Sequence, residues 1–160
     1  MFDADEYAPE TAESLALIDV FIASEFFYQG MFAGGGFPRA CEELRKRGPG
    51  IVVITLGSRG CVGLDPRGYF REPAFTNVEV VDTTGAGDVY HGAFIYGLLR
   101  GWASRDVARF ANAAAAIKCT RLGGRAALPG AATVMRFMEE GTIEYAEIDE
   151  RVKRYARGFF

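Results

Sequence analysis

One stretch limits what this chain can become. Val78 to Val81 is an apolar run of strand type, and Asp82-Thr83-Thr84-Gly85-Ala86-Gly87-Asp88 is a glycine-bearing turn. Val89 to Leu99 then has the composition of a buried helix. Together they predict a strand, a turn and a helix N-terminus. With helices and apolar strands alternating along the rest of the chain, this predicts an α/β fold with a mostly parallel sheet flanked by helices. In such sheets ligands gather at the carboxyl ends of the strands, where this turn lies. The first amides of a helix have no intrahelical partner, and the helix dipole adds partial positive charge there. Such a terminus suits an anion, phosphate above all. Gly85 and Gly87 let the backbone approach an anion with no Cβ in the way and can hold positive φ. Asp88 breaks the pattern, because a carboxylate repels phosphate. A general base that takes a proton from an attacking hydroxyl would account for it. The structural alternative is a helix start whose acidic residues the dipole favours.

Thr11 to Ile18 has helical spacing and Asp19 to Ala23 reads as a buried strand. Ser24 is suited to cap a helix reaching about Phe32, with Phe26, Phe27 and Met31 as its core face. Ala33 to Phe37 is a glycine-rich loop, and Pro38 suits the first turn of a helix through Arg47. Ile51 to Thr55 is the strongest strand, rich in β-branched residues. Leu56 to Gly60 turns the chain into a strand at Cys61 to Leu64. Asp65-Pro66-Arg67-Gly68 has the proline and glycine of a tight turn, so Tyr69 to Arg71 closes one β-hairpin. Beyond Leu99, Ser104 is expected to cap a helix to about Arg121, with Val107, Phe110, Ala111, Ala114, Ala115 and Ile117 on one face, stopped by Gly123-Gly124. Ala131 to Glu140 is a short helix. Tyr145 to Phe160 is amphipathic and charged, expected to be helical and loosely packed. Residues 1–142 are read as one α/β domain and residues 143–160 as a charged C-terminal helix or tail.

Composition removes several function classes. The net charge is −3 with no basic block, which argues against nucleic acid or an anionic membrane as partner. Cys41, Cys61 and Cys119 lie far apart, without the spacing of a zinc site or a disulfide framework, as in a cytoplasmic protein. Met1 to Glu10 is acidic and unlike a signal peptide, and no apolar run reaches the length of a membrane span. Gly85-x-Gly87 fails as a dinucleotide fingerprint because Tyr90 stands where the third glycine belongs. The sole histidine, His91, falls inside the buried helix and reads as structural.

Asp82 to Asp88, followed by Gly92-Ala93-Phe94, resembles the C-terminal signature of the ribokinase (pfkB-type) carbohydrate kinases. Thr55-Leu56-Gly57-Ser58-Arg59-Gly60 is similar to the family loop that lies along ATP. Phe110-Ala111-Asn112 with the alanines after it, Gly123-Gly124 and Pro129 form a third match. The resemblance implies ATP-dependent phosphorylation of a sugar hydroxyl. Asp88 would be the catalytic base, and Gly85, Ala86, Gly87 and the Asp88 amide the anion hole. Thr55, Gly57, Ser58 and Gly60 would bind ATP, with Asn112 by the adenine. The resemblance further implies Mg2+ on the phosphates and a monovalent cation, K+, held by Asp82, Thr84 and carbonyls near Lys118, Arg121 and Gly123. Each match has a structural alternative: a glycine turn for the loop, a polar helix residue for Asn112, a solvated turn residue for Arg59.

Two departures stand out. Where many family members carry Asn-x-x-Glu, this chain has Ser24-Glu25-Phe26-Phe27, which puts metal ligation in question. The resemblance covers only the family's C-terminal half, so the chain is expected to be a fragment or a truncated relative. Most sugar contacts and the small β lid belong to the other half. Sheet edge and apolar surface left uncovered would favour a homo-oligomer. The partners implied are a small sugar and ATP. A nucleotide-binding fragment without turnover, and a nucleoside or vitamin-precursor kinase of the same fold, are the alternatives.

Overall fold

Two β-branched stretches make the middle of a sheet. The described residues are 2–4, 13–32 and 34–158 of a computed structural model, and they divide into two compact units, Met1–Pro73 and Ala74–Phe160.

The first unit holds a five-stranded sheet in the order β1 (Phe2–Ala4), β2 (Val20–Ser24), β3 (Ile51–Thr55), β4 (Cys61–Asp65), β5 (Gly68–Glu72). β1, β2 and β3 are parallel, in a register that sets Val20 beside Ile51 and Ser24 beside Thr55. β4 and β5 add antiparallel pairs, so the sheet is mixed: the turn at residues 56–60 reverses the chain, and the expected hairpin follows. Phe21, Ile22, Val52, Val53 and Ile54 are fully buried, as the unbroken apolar run of an interior strand requires. Gly63 of β4 stands opposite Phe70 of β5. A Cβ on Gly63 would overlap the Phe70 ring and stand 2.8 Å from the Val52 carbonyl oxygen.

α1 (Glu25–Met31) starts where the sequence places it: the Ser24 hydroxyl accepts the Phe27 amide at 3.3 Å. Phe27 is buried, its ring 5.2 Å from that of Phe21. Phe26, expected beside it in the core, is 72% exposed, because a helix of two turns turns only one of two consecutive residues inward. α2 (Gly36–Arg45) carries Pro38 in its first turn and ends two residues before the expected Arg47. Its Ala40, Cys41 and Leu44 join the core against the sheet. Of the helix expected at Thr11 to Ile18, residues 11 and 12 lie outside the described residues, as does Ala33. Residues 13–14 are helical and Leu15–Leu17 is a 3-10 turn with Leu15 buried.

Among its described residues the regular elements of the second unit are four helices: α3 (Ala86–Leu99), α4 (Ser104–Lys118), α5 (Ala131–Glu140) and α6 (Ala146–Gly158). The strand expected at Val78 to Val81 is irregular, with Val80 61% and Val81 54% exposed. The described residues of its own unit include no strand to complete a ladder. The amides of Val81 and Asp82 both donate to the Cys119 carbonyl, at 2.8 and 3.1 Å. α3 and α4 pack so closely that a Cβ on Gly97 would stand 2.9 Å from a Val107 methyl. Ser104 is not the cap of α4. It is the first helical residue and is buried, and Ala103, with no side-chain acceptor, holds the cap position. α4 ends at Lys118, before the glycines expected to stop it. The C-terminal segment is more firmly held than its charge suggests. Ile148 is buried in the helical core, and the Arg121 guanidinium donates to Asp149 at 2.7 Å while lying 4.1 Å above the Tyr145 ring. Among the described residues no helix is long and apolar enough to cross a membrane.

Candidate functional site

The turn before α3 is built on one left-handed residue. Gly85 caps the helix with φ 75° and ψ 9°, and a Cβ there would stand 2.8 Å from the Gly124 carbonyl oxygen. Only glycine meets both demands. Gly87 differs from its expected conformation. It lies within the first turn of α3, is not among the positive-φ glycines, and a Cβ on it would meet nothing within 4 Å.

Two of the amides expected to meet an anion remain available to one. The Ala86 amide closes the turn on the Thr83 carbonyl at 3.0 Å. The Val89 amide is the first to bond one turn back, to the Gly85 carbonyl at 3.0 Å. The amides of Gly87 and Asp88 fall between them, in the part of the first turn that a helix cannot satisfy internally. Asp88, the third helical residue, is exposed beside them. His91, one turn on, has Nδ1 2.7 Å from the Gly87 carbonyl oxygen. A carbonyl only accepts, so Nδ1 carries the proton and the ring braces the helix start.

Asp82 anchors the other end of the turn. Its Oδ1 accepts the Thr84 amide at 2.9 Å and its Oδ2 the Gly123 amide at 2.7 Å. These two bonds, the Thr84 one first, hold its carboxyl down at about 2, with a further pull from the Lys118 charge. The Asp82 carbonyl in turn accepts Lys118 Nζ at 2.8 Å, from a side chain with no solvent exposure. At the expected cation site the Asp82 main-chain carbonyl thus already meets an ammonium, and the Asp82 carboxylate accepts two amides.

A cleft of about 530 Å3 opens beside Asp88. Val89, Ala93 and Tyr96 of α3, Phe110 and Ala114 of α4 and Val134 of α5 give it apolar walls, with Gly124 and Arg125 at the loop between. Asn112 lies on α4 at 7% exposure and is not among the lining residues.

The remaining candidates belong to the first unit. Thr55 ends β3, with its hydroxyl donating to the Ala23 carbonyl at 3.3 Å. Gly57 and Gly60 have φ 58° and 86°, and the Leu56 amide closes the loop on the Gly60 carbonyl at 2.8 Å. Gly57, Ser58 and Arg59 are exposed. The Arg59 guanidinium pairs with the Glu25 carboxylate, so it is not simply solvated. Among the described residues no three His, Cys, Asp or Glu side chains cluster in a way that could hold a metal ion.

Sequence reasoning considered only the backbone at Lys118 and passed over Arg125. A signal for Lys118 was available: it follows Ala111 and Ala114 at steps of three and four, on the buried face of α4.

The sequence profile of the pfkB family carbohydrate kinases matches residues 38–131. The chain belongs to that family. This kinase-family chain is 34% identical over 105 residues to a ribokinase of Lactococcus lactis, covering 65% of the chain and 35% of that protein. It is 32% identical over 108 residues to a 5-dehydro-2-deoxygluconokinase of Shouchella clausii, covering 68% of the chain and 33% of that protein. Among solved structures, ribokinase from Thermotoga maritima superposes with a TM-score of 0.73 at 29% identity, over 86% of this chain and 48% of that one. A putative ribokinase II from E. coli, in complex with ATP and Mg2+, gives a TM-score of 0.73 at 26% identity, over 81% and 42%. The match therefore spans about a third of the curated relatives' length, and the fold is ribokinase-like.

Proposed function

We propose that this chain is the nucleotide-binding, base-bearing part of an ATP-dependent carbohydrate kinase. One observation carries the reading: the Gly87 and Asp88 amides and the Asp88 carboxylate stand together at the N-terminus of α3, with open space where a Gly87 side chain would be. In the reaction, the Asp88 carboxylate takes the proton of a sugar hydroxyl, whose oxygen attacks the γ-phosphorus of ATP while the bond to the β-phosphate oxygen breaks. The amides and the helix dipole stabilise charge on the transferred group, which is the main demand of phosphoryl transfer. Thr55, Gly57, Ser58 and Gly60 contribute a surface for the nucleotide, and Asn112 remains a candidate for the adenine. Mg2+ would be carried by the ATP phosphates and would offset their charge during the transfer.

A second reading, nucleotide binding without turnover, is favoured by the extent of the match, 35% of the Lactococcus ribokinase. Sugar phosphorylation needs the hydroxyl held close to the γ-phosphorus, and loss of that positioning forfeits much of the rate. We expect the 160-residue chain alone to bind ATP weakly, to hydrolyse it slowly and to phosphorylate no sugar. The test combines ATP titration by calorimetry, ATP consumption with a panel of ketoses, aldoses, sugar acids and ribosides, and light scattering for self-association. Absence of any ATP binding would overturn the first reading. Robust sugar-dependent turnover by the chain would overturn the second. The buried thiols Cys41, Cys61 and Cys119 suit a reducing, cytoplasmic setting.

A further inference from the structure

We propose that Lys118 Nζ is the resident monovalent cation of the Asp82–Asp88 turn, so that nucleotide binding there needs no potassium. The inference rests on the nucleotide-binding reading above. Lys118 closes α4 and is wholly buried, yet its ammonium ends on a main-chain carbonyl, that of Asp82, at 2.8 Å. Burying an ammonium is costly unless it is paired and hydrogen-bonded. The Asp82 carboxylate of the same residue feels its charge without forming an ion pair, and is itself fixed by the Thr84 amide on one oxygen and the Gly123 amide on the other.

The consequence is mechanical. One bond closes residues 82–84 on themselves, two more tie them to the end of α4 and to Gly123, and Gly124 in turn abuts Gly85, the cap of the anion-binding turn. A bound alkali ion would serve the same purpose by gathering carbonyls and a carboxylate. An ammonium has nearly the radius of K+ and, as an alkali ion would be, is met here by a carbonyl oxygen. Here it is delivered covalently, so no ion has to be recruited from solution. A second cation on the Asp82 carbonyl would lie close to Nζ, where like charges repel strongly. Lys118 is thus a positioning residue, acting on phosphate through the turn it holds.

The experiment measures the 160-residue chain in KCl and in choline chloride at matched ionic strength, reading the thermal midpoint and the ATP dissociation constant by calorimetry. The midpoint and the dissociation constant are expected to coincide in the two salts. A ligand that binds the folded state alone raises the midpoint, so a K+-specific rise, or ATP binding that requires K+, would overturn the proposal. Lys118→Met is expected to lower the midpoint in choline chloride and to recover part of it in KCl. A loss that K+ does not touch would also count against the proposal. Where Lys118→Met does not fold, Lys118→Gln, which keeps a donor without charge, carries the same comparison, and the wild-type arms depend on neither variant. Failure to bind ATP in both salts would instead reject the nucleotide reading, while the midpoints still decide the cation question.

Discussion

Gly85 and Gly124 meet backbone to backbone: a Cβ built on Gly85 would stand 2.8 Å from the Gly124 carbonyl oxygen. Gly85→Ala therefore imposes both a left-handed alanine and a steric overlap that no flexible side chain can relieve. A loss of roughly 1–3 kcal/mol is expected, the usual cost of a strained backbone position. Chemical denaturation of the variant and the wild type measures it. Equal stabilities would mean that the turn rearranges freely, and the anion site with it.

Gly87→Ala separates ligand from scaffold. Beyond its chain neighbours and the backbone of its own helix, the added methyl meets no atom within 4 Å. Alanine also favours a helix over glycine by about 0.5–1 kcal/mol. Stability should hold or rise while ATP affinity falls, as read by thermal melts and calorimetry on the same samples. Unchanged affinity would show that phosphate does not approach position 87.

Asp88→Asn should act in two directions. Removing a carboxylate from an anion site is expected to tighten ATP binding. Where the protein turns over ATP, the rate should fall by roughly 10²–10⁴, the usual contribution of a positioned base. A rate within a factor of a few of wild type would remove Asp88 from the role of base.

Asp82 makes an acid-stability prediction whose sign is fixed. Its carboxyl is drawn from 3.8 down to about 2 by the Thr84 and Gly123 amides. A depressed folded-state value stabilises the fold above the unfolded value, and that contribution is lost as pH falls through the folded one. The stability advantage of wild type over Asp82→Asn should be full at neutral pH and shrink as pH falls from about 3.8 to about 2. Denaturation series for both proteins across that window test it. An advantage independent of pH would mean that the contacts at Asp82 do not depend on its charge.

What the sequence made legible was local. Ser24 could be read as a cap because its acceptor serves an amide three residues on, and Ile51 to Thr55 as a strand because β-branched residues favour a pleated, buried surface. The Asp65 to Gly68 turn has the same character: the Asp65 carboxylate takes the Arg67 amide at 2.8 Å. The failures depend on distant residues. Val78 to Val81 has strand composition, but the described residues of its unit include no neighbouring strand, and the Val81 amide turns to the Cys119 carbonyl instead. Ser104 has cap chemistry but sits one position too far along the chain, buried where a cap would face solvent. At the candidate site, the motif drew attention to Asp82 and Asp88, while the ammonium beneath Asp82 comes from 36 residues away. A charge that functions by being buried is hard to read in a sequence, because its partners are chosen by the fold.

The glycine at position 63 has a meaning for assembly as well as for space. Among the described residues β5 is the last strand of the sheet and pairs on one side only, the situation in which a strand can most easily slide along its neighbour. Gly63 leaves a slot in β4 that the Phe70 ring fills. A slip by one residue would turn the ring to the opposite face. A slip by two would drive it into the side chain of Cys61 or Asp65. One absent methyl group thus works as a notch with a single matching tooth, and it fixes the alignment of the outermost strand.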